Sequence, residues 1–289
     1  MHQFSFSICH KPFSMFSDQT LAKRIETAQA QNQMDYADSC HKLKCSTPAV
    51  AIVVGSGAAL YAGAESPLTQ SFGLGFEGGD TTESDVESQI DTLEEFFFSR
   101  GSATYIEVAN LADMNLTLLL GKRGYTVLEY SHVLGFNLAN LEHIPSPLQP
   151  YRLAASEIEA AADAVAAGFL EQNIGEGDIP PDFRELFVVS LHTTGSSGFA
   201  VKLEGEIAGA GGITILNNVA MLSGASTQPK FRNRGIQKAL IMERLRFAHE
   251  AGCDIAVVTT QPGTVSQSNM QAMNFEILYA RTKFTKTMP

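Results

Sequence analysis

Hydrophobic periodicity divides most of the chain into helices and strands. Val86, Ile90, Leu93 and Phe97 follow one face of a helix over 82–100, and Thr82 is placed to cap it. Short apolar runs bounded by turn-forming residues predict strands instead. The predicted helices are 21–43, 82–100, 113–122, 156–170, 180–191, 236–250 and 264–273. The predicted strands are 48–54, 58–62, 70–76, 103–108, 125–138, 151–154, 198–203, 207–216, 220–226, 255–260 and 275–284.

A proline-rich segment at 145–150, with three prolines in six residues, predicts a linker. It divides the chain into residues 1–146 and 147–289, and a chain of 289 residues is long enough for two domains with cores of their own. In the second half, antiparallel strands are followed by strand–helix–strand crossovers. This order predicts a mixed α+β fold.

The two halves resemble each other at an offset of about 150 residues. Residues 123–130 align with 273–280, and each segment follows a predicted helix, strand and helix of matching length. We interpret the chain as two tandem copies of one fold, of which the first is shortened. A chance likeness between two α/β units is the alternative.

The turn between strand 220–226 and helix 236–250 has the chemistry of a phosphate site. It contains Arg232, Arg234 and Gly235. A helix N-terminus presents unpaired N–H groups and the positive end of its dipole, and glycine lets a ligand approach the backbone closely. Cationic side chains at a helix N-terminus are repelled by its dipole. The two arginines therefore indicate that an anion binds between them.

These residues also carry a family resemblance. The segment Arg232-Asn233-Arg234-Gly235-Ile236-Gln237 resembles the Arg/Gln-x-x-Gly-x-Gly/Ala acyl-CoA loop of the GCN5-related N-acetyltransferase (GNAT) superfamily, with Gln237 departing from the usual small residue. The element order of the second half resembles that family's as well. The resemblance implies an α+β GNAT fold in two tandem copies, with a mixed, mostly antiparallel sheet flanked by helices.

The resemblance further implies acetyl-CoA as co-substrate and assigns residues to it. Free backbone N–H groups at the end of the strand before the loop would hold the pantetheine arm and the oxyanion. The cofactor-binding residues assigned in this way are Ala225, Ser226, Thr227, Arg232, Asn233, Arg234, Gly235, Ile236, Gln237 and Asn269.

The matching loop of the first copy, 75–85, keeps its glycines but is acidic. Glu77, Asp80, Glu83 and Asp85 stand where the second copy has arginines. Acidic side chains stabilise a helix start and repel a pyrophosphate. We therefore predict that the first copy, 1–146, binds no CoA. Its role would be structural, or it would form a wall of the acceptor site. Residues 147–289 are then the acyltransferase domain.

Two residues that the family often uses are missing. Met270 stands where a general-acid Tyr is frequent, and Gly263 stands where an Asn often begins the helix. Asn269 and Tyr279, which match a subgroup of the family, are the candidate catalytic residues. Helix packing for Asn269 and core packing for Tyr279 are the alternatives.

A general base is equally hard to place. Residues 220–226 contain no Asp or Glu, and His192 and Glu276 are weaker candidates. Water can take the proton of a bound amine of lowered pKa, and positioning then supplies much of the rate.

Composition narrows the partners. A net charge of −11 disfavours nucleic acid and anionic membranes as partners. No apolar run approaches the length of a membrane span. Cys9, Cys40, Cys45 and Cys253 show no metal-site spacing, so we expect reduced thiols, a cytoplasmic location and no metal.

The sequence thus predicts an acyl-CoA-dependent N-acetyltransferase that acts on a small amine or a peptide amino group. Acidic surroundings favour a cationic acceptor, and the connection 171–180 is expected to line its groove. Two alternatives stay open. One is a non-catalytic CoA-binding or interaction protein, and the other is aminoacyl transfer from charged tRNA, which the negative charge disfavours.

Overall fold

The computed structural model describes residues 15–79, 81–142, 145–173 and 181–288. Cys9, Asp80 of the acidic loop and residues 174–180 of the predicted acceptor connection lie outside these ranges. The helices are α1 (Gln19–Leu43), α2 (Glu83–Phe98), α3 (Met114–Lys122), α4 (Ile158–Asn173), α5 (Pro181–Ser190), α6 (Ile236–Glu250) and α7 (Val265–Gln271). The strands are β1 (Val50–Val54), β2 (Gly57–Tyr61), β3 (Gln70–Phe72), β4 (Thr104–Ala109), β5 (Thr126–Asn137), β6 (Tyr151–Arg152), β7 (Ser196–Leu203), β8 (Glu206–Leu216), β9 (Val219–Thr227), β10 (Ile255–Thr260) and β11 (Glu276–Lys286).

These elements follow the predicted order, and the departures have local causes. The strand predicted at 70–76 ends at Phe72 because Gly73 and Gly75 adopt φ of 79° and 81°, which a strand does not accommodate. The helix predicted at 156–170 begins at Ile158 after a short 3₁₀ turn and extends to Asn173. α2 begins after Thr82 as predicted.

The described strands form one eleven-stranded sheet in the order β1-β2-β3-β4-β11-β5-β10-β9-β8-β7-β6. The pairs β3–β4 and β9–β10 are parallel, and the other neighbours are antiparallel. The sheet is therefore mixed and mostly antiparallel, as predicted.

The two halves exchange their last strands. β5, from the first half, lies between β10 and β11 of the second half. β11, from the second half, lies between β4 and β5 of the first half. Because each half completes its sheet with a strand of the other, the hydrogen-bonded ladder is continuous across both.

The helices cover the sheet in two layers. Successive residues of a strand point to opposite faces, and on β5 Val133 packs in a cluster with α1 residues whereas Leu134 packs in a cluster with α6 residues. α4 and α5 lie on the side of α1, and α7 lies on the side of α6. We call these sides the α1 face and the α6 face. α2 and α3 pack against Ile106 and Val108, on the α6 face of β4.

Candidate active site

β9 and β10 diverge at the centre of the second half. Their parallel pairing runs from Val219 with Ile255 to Met221 with Val257 and stops there. Beyond that point β9 stays with β8 as far as Thr227, and β10 stays with β5 as far as Thr260. The divergence opens a cleft between the edges of the two strands. An extended ligand that lies in this cleft can form hydrogen bonds with the backbone of either strand.

A bulge lies on the β9 side of this cleft. Ser226 pairs with Ala210 and Ser223 with Gly212, so two residues of β9, Gly224 and Ala225, oppose a single residue of β8. Gly224 has a φ of 51°, and a Cβ there would lie 2.8 Å from the Phe187 ring. A bulge redirects the backbone N–H groups of its strand.

The loop after β9 ends at an uncapped helix. Gly235 is the N-cap of α6, with φ 78° and no side-chain hydrogen bond. A Cβ at Gly235 would meet nothing within 4 Å, and the first turn of α6 has no acidic residue. The described chain therefore leaves the first N–H groups of α6 open to a ligand, and the helix dipole favours an anion there.

The cations of the loop lie at its rim. Arg234 pairs with Glu204 at 2.9 Å, and Lys230 pairs with Glu206 at 2.5 Å. Arg232 turns towards α4 and donates to the Gly168 carbonyl at 3.1 Å. The Arg234 and Lys230 pairs are exposed, and such pairs contribute about 0–1 kcal/mol. An anionic ligand can therefore draw these two side chains away at little cost.

α4 approaches β9 unusually closely. A Cβ at Gly168 would lie 1.7 Å from Ser226 Oγ. Ser226 Oγ is itself buried without a hydrogen-bond partner. A Cβ at Gly168 would also lie 2.8 Å from the Thr227 carbonyl oxygen, so glycine at 168 lets the helix reach the end of β9.

Arg244, which sequence reasoning missed, braces the bulge from the α6 face. Its side chain is fully buried, and its Nη1 donates to the carbonyls of Gly212 at 3.0 Å and Ser223 at 3.5 Å. Burial lowers the pKa of Arg244 to about 10. The sequence contained a signal for its burial. Ile236, Leu240 and Arg244 are four residues apart, so Arg244 lies on the apolar face of the helix.

Asn269 joins α7 to α6. Its Nδ2 donates to Gln237 Oε1 at 2.9 Å. The structure thus brings Asn269 together with Gln237, the residue that departs from the family motif, beside the loop. Thr264 caps α7 by accepting from the Gln267 N–H.

Tyr279 lies away from this loop. Its hydroxyl donates to Glu26 Oε1 of α1 at 2.6 Å, and the same oxygen accepts from Arg281 Nε at 2.7 Å. Burial and the Glu26 carboxylate raise the pKa of Tyr279 well above its usual value. The structure thus places the predicted proton donor on the α1 face, whereas Met270 packs in the core of the α6 face.

The weaker base candidates have other contacts. His192 is exposed after α5, with its Nδ1 2.8 Å from the Val188 carbonyl. Glu276 accepts from the Met15 N–H at 2.9 Å.

The corresponding loop of the first half is closed by its own side chains. Glu77 Oε1 accepts from the Ser56 N–H at 2.9 Å. Thr82 and Asp85 form a reciprocal capping box at the start of α2, and these hydrogen bonds lower the pKa of Asp85. A cavity of about 450 Å³ beside the loop is lined by both Glu77 and Asp85. The N–H groups that are open in α6 are thus partly satisfied in α2, next to negative charge.

The architecture is the GNAT fold, as comparison with solved structures shows. A GCN5-related N-acetyltransferase from Kribbella flavida aligns over 96% of this chain and 98% of its own, with a TM-score of 0.66 at 16% identity. A tandem GNAT protein from the clavulanic acid biosynthesis pathway aligns over 93% of each chain, with a TM-score of 0.58 at 10% identity. A GCN5-related N-acetyltransferase from Sphaerobacter thermophilus aligns over 94% of each chain, with a TM-score of 0.54 at 12% identity.

Within this fold, residues 164–275 match the acetyltransferase (GNAT) family model, so the chain contains a GNAT acetyltransferase domain. The matched segment includes the cleft between β9 and β10, the loop and α7. None of the curated proteins compared with the chain matches its sequence.

The family implies an acyl-CoA-dependent acetyl transfer with acetyl-CoA as the acyl donor. The open start of α6 suits the anionic part of that molecule. In the described ranges, no three His, Cys, Asp or Glu side chains come together as a metal ion would require.

None of the helices described is both long enough and apolar enough to cross a lipid bilayer.

Proposed function

We propose that this protein transfers an acetyl group from acetyl-CoA directly to the amino group of a small molecule or a peptide. The observation that carries the proposal is the uncapped N-terminus of α6 at Gly235, which opens beside the divergence of β9 and β10. A helix start without its own cap, preceded by three cations, suits a pyrophosphate.

The cleft suits the remaining parts of the reaction. The pantetheine arm would lie along the diverging edges of β9 and β10. The amine would attack the thioester carbonyl, and N–H groups near the bulge at Ala225 would stabilise the oxyanion. Ser226 and Thr227 continue this edge towards Arg232, so the predicted binding residues form one path from the loop to the bulge.

The acceptor is proposed to be cationic and to react in the cytoplasm. The chain carries a net charge of −11, and the first half has 17 acidic against 8 basic residues. A negative field raises the local concentration of cationic amines. In the described part of the chain Cys40, Cys45 and Cys253 are free thiols, which fits a reducing compartment.

The test is acetyl-CoA binding by calorimetry, followed by a thiol-release screen over small amines and peptide N-termini. In Gly235→Asp, a carboxylate would occupy the proposed pyrophosphate seat. We expect its affinity for acetyl-CoA to fall at least tenfold, because each 1.4 kcal/mol of lost binding free energy is a factor of ten.

Gly252→Asp is the matched control. Gly252 follows the other end of α6, has a φ of 81° against 78° at Gly235, and also faces open space. Both variants therefore introduce the same side chain with the same backbone strain. Equal affinity in the two variants, or no saturable binding by the wild type at millimolar acetyl-CoA, would contradict the proposal.

A second candidate is a CoA-binding protein without catalysis. It is favoured by Met270 at the usual general-acid position and by the distance in the fold between Tyr279 and the loop. Saturable acetyl-CoA binding with no thiol release from a broad amine panel would support this alternative.

A further inference from the structure

His132 enters the second half from the first. It lies on β5, where its cross-strand partners are Thr260 of β10 and Ala280 of β11. Its neighbour Leu134, two residues along the strand, packs in the cluster with α6 residues, whereas Val133 packs in the cluster with α1 residues. His132 therefore faces the α6 face, the side on which the loop and α7 lie.

Two polar atoms in this region are buried without a partner. They are Nδ1 of His132 and Oγ1 of Thr260. Directly opposite residues on one face of an antiparallel pair have Cβ atoms about 5 Å apart, so the two side chains are neighbours. A buried polar group without a partner costs about 1–3 kcal/mol, so such groups in a native protein call for an explanation, which can be a catalytic role.

Their position coincides with the cleft. The pairing of β10 with β9 ends at Val257, and Thr260 lies three residues beyond it, on the stretch that has diverged. His132 is only partly buried, so part of the residue is open to a ligand although its Nδ1 is buried.

Among the described residues, neither the usual general-acid position nor the predicted proton donor Tyr279 supplies a proton to the cleft. Met270 carries no transferable proton, and the Tyr279 hydroxyl is hydrogen-bonded to Glu26 on the opposite face. An imidazole can both give and take a proton near neutral pH.

We infer that His132 is the general acid–base of the acyl transfer, supplied by the first half to the site of the second. The inference rests on the proposed function. The amine nitrogen forms a bond to the thioester carbonyl carbon, and the C–S bond then breaks with its electron pair remaining on sulfur. The imidazolium of His132 gives its proton to that sulfur to yield the free thiol, and the proton lost by the amine restores the imidazolium. Thr260 lies directly opposite His132, and in the reacting complex its partnerless hydroxyl would position the imidazole ring.

The experiment compares wild type, His132→Asn and the control His249→Gln. His249 is exposed in the last turn of α6, away from the cleft. In His132→Asn we expect acetyl-CoA affinity within twofold of wild type and kcat/KM lowered about 10²–10⁴-fold, the usual contribution of general acid–base catalysis. His249→Gln should match wild type in both. The pH dependence of kcat/KM near neutrality should disappear in His132→Asn.

Two further measurements guard against misfolding of that variant. In wild type, the ring ¹⁵N signals of His132 should shift on addition of acetyl-CoA while those of His249 stay in place. Thr260→Val, which removes only the hydroxyl, should lower kcat more than it changes KM and should move the pH midpoint.

The outcomes separate this inference from the proposal on which it rests. Wild-type activity in His132→Asn, or His132 signals indifferent to acetyl-CoA that binds, would overturn the role of His132 and leave the acyltransferase standing. Failure of the wild type to bind acetyl-CoA would overturn both.

Discussion

Single residues join α1 to the last strand of the chain. Glu26 and Arg281 are each 1% exposed, and their ion pair measures 2.7 Å from Nη2 to Oε1. Tyr279 donates to the same carboxylate, and the Arg281 guanidinium lies 4.9 Å from the centre of the Phe72 ring. The cluster therefore fixes β11 against elements of the first half.

Glu26→Gln should destabilise the protein by about 3–5 kcal/mol. The substitution leaves the Arg281 cation buried without its ionised partner, and that is the costly way to break a buried pair. The measurement is the free energy of unfolding from urea denaturation.

Glu83→Gln is the comparison for this prediction. Glu83 forms an exposed pair with Lys122 at 3.0 Å, so its loss should change stability by less than about 1 kcal/mol. If the free energy of unfolding fell by a similar amount in the two variants, burial of the Glu26–Arg281 pair would not increase its contribution to stability.

At this scale the sequence predicts that Arg232, Arg234 and Gly235 lie at the start of a helix, because turn and helix signals are written in consecutive residues. Their role in binding stays a prediction. The direction of the Tyr279 side chain was not predictable, because it depends on the register of β11 against β5, which has a bulge between Ile277 and Tyr279. His132 was missed for a similar reason, since its neighbour Thr260 is 128 residues away in the chain.

Among the elements, α2 and α6 occupy equivalent places in the two halves but begin differently. α2 has a complete capping box at Thr82 and Asp85, whereas α6 begins at Gly235 with no side-chain cap. One helix is therefore capped by its own side chains, and the other has its first N–H groups open, where we propose that acetyl-CoA binds.

Thr82→Ala should lower stability by about 1 kcal/mol, the usual cost of losing a helix cap, without changing acetyl-CoA affinity. Thermal unfolding with and without acetyl-CoA checks both statements. Because acetyl-CoA is proposed to bind α6 and not α2, the stabilisation that it gives should be equal in wild type and variant. A smaller shift in the variant would place acetyl-CoA in the first half instead.

Element boundaries were largely predictable from the sequence. α6 and β10 have the predicted limits, since periodicity and turn residues act over a few positions. Which strands pair with each other in the sheet was not predictable from the same local signals. An apolar strand such as β5 fits several neighbours, and only the assembled sheet selects β10 and β11.

For the whole molecule, the exchanged strands should make the halves inseparable. A protease site inserted between Ser146 and Pro147, which are exposed in the predicted linker, allows the chain to be cut after folding. We expect the fragments 1–146 and 147–289 to co-elute in gel filtration and to unfold in one transition, because β5 and β11 each pair with strands of both halves.

Diluting the cut protein tests whether its two fragments stay associated. Two fragments that separate at micromolar concentration without denaturant would show that the shared ladder contributes little. The uncut protein carrying the same insertion is the control, since it isolates the effect of the break from that of the added residues.

The exchange also limits what evolution can do with a duplicated copy. We predict that the first half binds no CoA, and a duplicate without a ligand is ordinarily free to accumulate mutations or to be deleted. Here its removal would take β5 away and expose the inner edges of β10 and β11, so selection for the partner's sheet preserves it. A first half retained in this way, for which we predict no CoA binding, can change in sequence at its own loop while β5 still completes the sheet of the second half.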